Sequence, residues 1–168
     1  TSGANLTCKK EVFKKIKFDR DFYPGDDVNF INIAKKNKFK VAYSPEIFIY
    51  HRRRPDMKSL IKQIFDYARV RSCEKISEEI LNRPSFTIPS IFLLYLIISP
   101  ILSLMSLLFY IPLLIYILLN LAFSIYEGIK NKDLLAIPLL SFIFFIIHIS
   151  YGAGFLIGLI SRARKKLI

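Results

Sequence analysis

Two carboxylates stand side by side in Gly25-Asp26-Asp27-Val28-Asn29-Phe30, directly after Tyr23-Pro24-Gly25. In such a turn proline sets φ and glycine allows a tight approach, so Asp26 falls where a helix N-cap belongs. The amino end of a helix stabilises negative charge. A carboxylate held there can act as a general base or ligate a divalent cation. An ordinary helix start carries the same acids, so the pattern alone supports both readings. His51 closes an apolar stretch and precedes Arg52, Arg53 and Arg54. Its imidazole is a candidate metal ligand, and equally a structural histidine. The arginines can grip a phosphate or diphosphate through paired N–H donors, or anchor the chain to a membrane surface. Gln63, Tyr67 and Arg71 recur one helical turn apart and share a face. That face can line a polar substrate site or simply meet water.

Other signatures are missing. The chain has no GxxxxGK[ST] or GxGxxG nucleotide loop and no GxSxG or HExxH. Cys8 and Cys73 have no metal-ligand spacing and read as unpaired thiols. His148 lies in an apolar segment, where an ionisable group is functional by default. A neutral histidine hydrogen-bonded between helices is the equally good reading.

The elements that must position these residues divide at about residue 87. Residues 1–87 hold 19 Lys and Arg against 11 Asp and Glu. Ile88 to Phe123 holds no charged side chain, and a second apolar run spans Leu134 to Ile160. About 20 apolar residues make one bilayer crossing, so the second half is expected to be membrane helices. Pro100 is expected to split the first run into a hairpin, Ile88 to Ser103 and Ser106 to Tyr126, with each arm short for a crossing. Leu134 to Ile160 is long enough for one tilted crossing. Gly152, Gly154 and Gly158 suggest a break within it, which would reconcile the basic tail with the positive-inside rule. The formal charge of +12 flanks apolar segments, which favours a membrane surface over nucleic acid.

Within the polar half, Thr7 is a candidate cap for a helix from Cys8 to Ile16. A second helix is expected from Asp26 to about Asn37. Phe39 to Tyr43 and Ile47 to Tyr50 read as short strands around Ser44-Pro45. Pro55 suits a helix start, and Met57, Leu60, Ile61, Ile64, Phe65 and Ala68 form an apolar stripe beneath basic residues. A basic amphipathic helix leading into a membrane span reads as interfacial.

Gly3-Ala4-Asn5, then FDRDFYPGDDVNFINIAKKNKFKVAYSPEIFIYHRRR, then KQIFDYARVR, resemble in order and spacing the C-terminal half of a family 2 glycosyltransferase. His148 to Leu156 (HISYGAGFL) resembles the segment that ends some membrane-anchored members. The resemblance implies an α/β fold, the acceptor-side part of a GT-A domain over residues 1–54. An interfacial region over 55–87, membrane helices over 88–161 and a basic tail over 162–168 would follow. It implies that Asp27 is the catalytic base of an inverting displacement. Asp26 stands where the family has Glu, and with His51 it would serve a divalent metal, Mg or Mn. Asn5, Arg52, Arg54, Gln63, Arg69 and Arg71 would bind substrate. Asn29 replaces a second Asp, Ala68 replaces a Gly, and Asn37-Lys38 stands where Gly is common.

The implied partners are a nucleotide-sugar donor, a polyprenyl-phosphate-linked or glycan acceptor, and membrane lipid, with no nucleic acid. The implied location is the inner cell membrane, multi-pass, with the catalytic part cytoplasmic. The family's donor-binding half and its Asp-x-Asp motif have no counterpart upstream of Thr1. The expectation is therefore a C-terminal fragment, inactive alone. The alternative from another class is a non-catalytic membrane scaffold, or a partner-dependent subunit, that binds anionic lipid.

Overall fold

The computed structural model describes residues 5–19, 23–50, 56–73 and 84–166. Among the described residues six α-helices follow one another: α1 (Lys10–Lys15), α2 (Asp26–Lys36), α3 (Met57–Cys73), α4 (Ile88–Ser103), α5 (Ile111–Lys130) and α6 (Ile137–Lys166). Among the described residues there is no strand, so the α/β expectation is corrected to a helical architecture. The reason is pairing. A strand exists through its ladder to a neighbour, and no described segment forms a backbone ladder with 39–43 or 47–50. Those residues stay irregular, and Tyr43 and Tyr50 are 80% and 95% exposed.

The polar half has a small core. Ile16, Phe30 and Ala34 are buried, and Leu6, Cys8, Val12, Ile33 and Phe39 pack against them. Phe13, Phe18 and Phe30 cluster as rings, with Phe18 and Phe30 stacked at 4.7 Å. Phe30 and Ala34 lie four residues apart on α2, so one helical stripe supplies the core. Helix α1 is shorter than expected. Its cap is Lys9, without a side-chain bond, and Thr7 does not cap it.

The end of α2 explains how the chain turns without the glycine that the family resemblance suggested. Lys38 adopts φ 62°. Its N–H donates to Lys35 O at 2.9 Å, and Phe39 N–H donates to Ala34 O at 3.0 Å. This is a Schellman ending, normally built on glycine because a Cβ is strained at positive φ. Lys38→Gly should therefore stabilise the polar half by about 1 kcal/mol. Slower hydrogen exchange at the Phe30 and Ala34 amides would report it; unchanged or faster exchange would contradict it.

Three segments are long and apolar enough to cross a membrane: Pro84–Ser103, Leu107–Lys130 and Leu134–Ser161. The chain is a membrane protein. Each arm of the first apolar run is thus long enough to cross, against the expectation. Pro100 does not end α4, which continues to Ser103. The turn comes at 104–106, where Ser106 Oγ accepts from Leu108 N–H at 3.2 Å. Tyr95 ties this hairpin together: its hydroxyl donates to Phe109 O at 2.8 Å and accepts from Leu113 N–H at 3.2 Å. Helices α5 and α6 join through a second Schellman ending at Lys132 (φ 56°). Asp133 then caps the next turn by accepting from Ala136 N–H at 3.1 Å.

Helix α6 runs unbroken for 30 residues, so its glycines are not a break. A Cβ on Gly154 would meet the backbone carbonyl of Phe65. One on Gly158 would meet Ser72 Oγ and the carbonyl of Arg69. One on Gly152 would meet the carbonyl of Pro89. Glycine here permits close approach of helices, the small-xxx-small principle of membrane packing. Phe65 opposes Gly154 and Arg69 opposes Gly158, so each step of four on α6 matches a step of four on α3. The two helices therefore run side by side in the same direction over this turn. On α3, Ala68 and Ser72, again four apart, are fully buried.

Candidate functional site

Gly25 takes the cap position of α2 at φ 132°, a conformation that side chains other than glycine rarely adopt. The cap therefore has no side chain, and Asp26, expected as the cap, is instead the first helical residue. Both Asp26 and Asp27 are half-buried in the first turn. Asp27 Oδ1 accepts from Val28 N–H at 2.8 Å. Asn29 N–H donates to Gly25 O at 3.0 Å, closing that turn. Phe30 holds this end of α2 in the core, one turn from the carboxylates. The arrangement is chemically competent for one task. A carboxylate on a fixed helix turn can take a proton from a hydroxyl presented to it.

The other expected site residues that the structure describes make contacts elsewhere. Asn5 Nδ2 donates to Ile47 O at 3.0 Å, and both residues are exposed. Asn5 thus holds the 39–50 segment. Gln63, Tyr67 and Arg71 lie on α3, Gln63 and Arg71 half-buried and Tyr67 exposed. Arg71 is engaged: its guanidinium lies 4.1 Å from the ring centroid of Phe86, a cation–π contact that ties α3 to the entry of the first crossing. Arg69 pairs with Asp66 at 3.7 Å on the exposed side, a contact of small energetic weight. His51, Arg52 and Arg54 lie outside the described residues. Among the described residues no group of three His, Cys, Asp or Glu side chains comes together. Of the two expected metal ligands, Asp26 is the one whose position is described.

Two sets of residues that matter were not singled out from the sequence. One is the close approach of α3 to Gly154 and Gly158, with Phe65 against the first and Arg69 and Ser72 against the second. Its signal was the spacing of four on both segments. The other is a polar ladder inside the membrane. Ser141 Oγ donates to Ser124 Oγ at 2.9 Å, and Ser124 Oγ donates to Asn120 O at 2.8 Å. Asn120 Nδ2 donates to Ser141 O at 3.2 Å and to Tyr116 OH at 3.3 Å. His148 Nδ1 lies 2.7 Å from Phe144 O and 3.4 Å from Tyr116 OH. Tyr116, Asn120 and Ser124 repeat every four residues through a charge-free run, which was the available signal. His148, flagged from the sequence, belongs to this ladder and bonds between helices.

No family model, no curated protein and no solved structure matches the chain.

Proposed function

We propose that the chain is the acceptor-side part of a membrane-bound, inverting glycosyltransferase. The substrates would be a nucleotide-sugar and a lipid-linked or cell-surface glycan acceptor at the cytoplasmic face. What carries the reading is one conjunction. The Gly-Asp-Asp turn opens α2, and the same chain continues into a basic helix held against the last membrane crossing.

In the proposed reaction the acceptor oxygen forms a bond to the anomeric carbon. The bond from that carbon to the nucleoside diphosphate oxygen breaks. The acceptor proton passes to Asp27. Asp26 adds negative charge at the same turn and serves the donor side, where a bound divalent cation would offset charge on the leaving diphosphate. Helix α3, basic on its free side and anchored along α6, would hold the chain against anionic lipid headgroups. That is where a lipid-linked acceptor presents its hydroxyl.

The test uses membranes carrying the intact gene product and a panel of labelled nucleotide-sugars. Label should move from at least one donor into lipid-extractable material or membrane glycan. Transfer from none of them, with Asp26→Ala and Asp27→Ala both tolerated in cells, would replace this reading with a lipid-binding scaffold.

A further inference from the structure

The intramembrane ladder leaves two polar groups unspent. A carbonyl only accepts, so the 2.7 Å contact to Phe144 O puts the proton on His148 Nδ1. His148 Nε2 is then a bare acceptor. Tyr116 OH accepts from Asn120, and a protonated Nδ1 does not take the hydroxyl's own proton. Tyr116 is therefore a free donor. Both groups line an open groove of about 390 Å³ between α5 and α6, with Leu119, Asn120, Phe123 and Phe144. Leu119 and Phe123 are more than half exposed at its rim. Tyr116 and His148 fall near the middle of the Leu107–Lys130 and Leu134–Ser161 spans. At that depth there is no water to satisfy a polar group, and an unmade hydrogen bond is costly.

We propose that this groove is the contact face for a second copy of the chain, related by a two-fold axis along the membrane normal. Such an axis preserves depth. Tyr116 and His148 touch one another, so they sit at one depth, and across the axis the hydroxyl of one copy meets Nε2 of the other. The contact is made twice, once in each direction, as a two-fold interface requires. A hydrocarbon chain offers neither donor nor acceptor and would leave both groups unsatisfied. A second copy supplies both, in complementary positions, on a helix pair already fixed by the Ser124–Ser141 and Asn120–Ser141 bonds.

The experiment uses the full chain in lipid vesicles, with Cys8→Ser and Cys73→Ser, and either Leu119→Cys at the groove rim or Leu114→Cys. The two positions lie about 140° apart around α5. Oxidation should give a disulfide-linked dimer from position 119 and not from 114. Tyr116→Phe keeps the ring against Phe92 (4.1 Å between centroids) and removes only the donor. It should weaken dimerisation about tenfold, two interhelical hydrogen bonds being lost per dimer. A monomer at every protein-to-lipid ratio, with or without a retained lipid, would overturn the proposal. So would equal cross-linking from both positions, or a Tyr116→Phe dimer as strong as the parent.

Discussion

Replacing Asp27 by Asn should lower sugar transfer by about 10²- to 10⁴-fold, the usual contribution of a positioned general base. The substitution keeps the size of the side chain and its acceptor for Val28 N–H, so α2 should start where it does now. What it removes is the ability to take a proton from the acceptor hydroxyl. Donor binding, which does not depend on that proton, should stay within about twofold, so the loss falls on the chemical step. Asp27→Glu moves the carboxylate outward by one methylene and should retain part of the activity. Measured turnover and donor affinity on the same membranes separate these outcomes. Full turnover by the Asp27→Asn variant would remove the base assignment. A variant that lost donor binding and turnover together would mark Asp27 as a structural residue.

Gly154→Ala should detach α3 from α6. The added Cβ would run into the carbonyl of Phe65, with the Phe65 carbonyl carbon and Cα at 2.9 and 3.0 Å. All three are backbone atoms, so no side-chain rotation relieves the overlap. The helices must separate, and the contact of Ser72 with Gly158 separates with them. The expected loss is about 2–3 kcal/mol, the range for overpacking a close contact. Exposed Lys58 and Lys62 then become trypsin-sensitive at concentrations that leave the parent intact. Ile157 is exposed on the same turn of α6, and Ile157→Ala should leave the protease pattern unchanged. Equal resistance in Gly154→Ala would mean that the glycine contact does not hold α3 in place. Transfer activity should fall with Gly154→Ala as well, because the proposed acceptor side depends on α3 lying along the membrane bundle.

The sequence made some of this legible, and the reasons are local. The start of α2 could be read from Tyr23-Pro24-Gly25 followed by two acids, because turn and dipole chemistry act over a few residues. The apolar character of the second half was legible, since charge-free length is a property of composition, but the turn comes at 104–106 and not at Pro100. What failed depended on partners distant in sequence. Residues 39–43 and 47–50 are rich in aromatic and β-branched side chains as strands are, but a strand needs a paired neighbour, and among the described residues no ladder forms there. Gly152, Gly154 and Gly158 were taken to break α6 because glycine is a weak helix former. In fact Phe65, Arg69 and Ser72 press against two of them, and Pro89 against the third. Lys38 shows the reverse. The turn forms without glycine because Phe39 N–H and Lys38 N–H both find carbonyls in the last turn of α2. The carboxylates of Asp26 and Asp27 were legible as a pair. Arg71 was not legible as the partner of Phe86, 15 residues away across the entry to the membrane.

The configuration at the anomeric carbon of the transferred sugar tests the central claim most directly. A product made by the intact protein from a nucleotide-sugar of known anomeric form, read by nuclear magnetic resonance before it equilibrates, shows which face was attacked. A single displacement with Asp27 taking the acceptor proton predicts complete inversion. A product with retained configuration would require two displacements or a different attacking group, and would contradict the account.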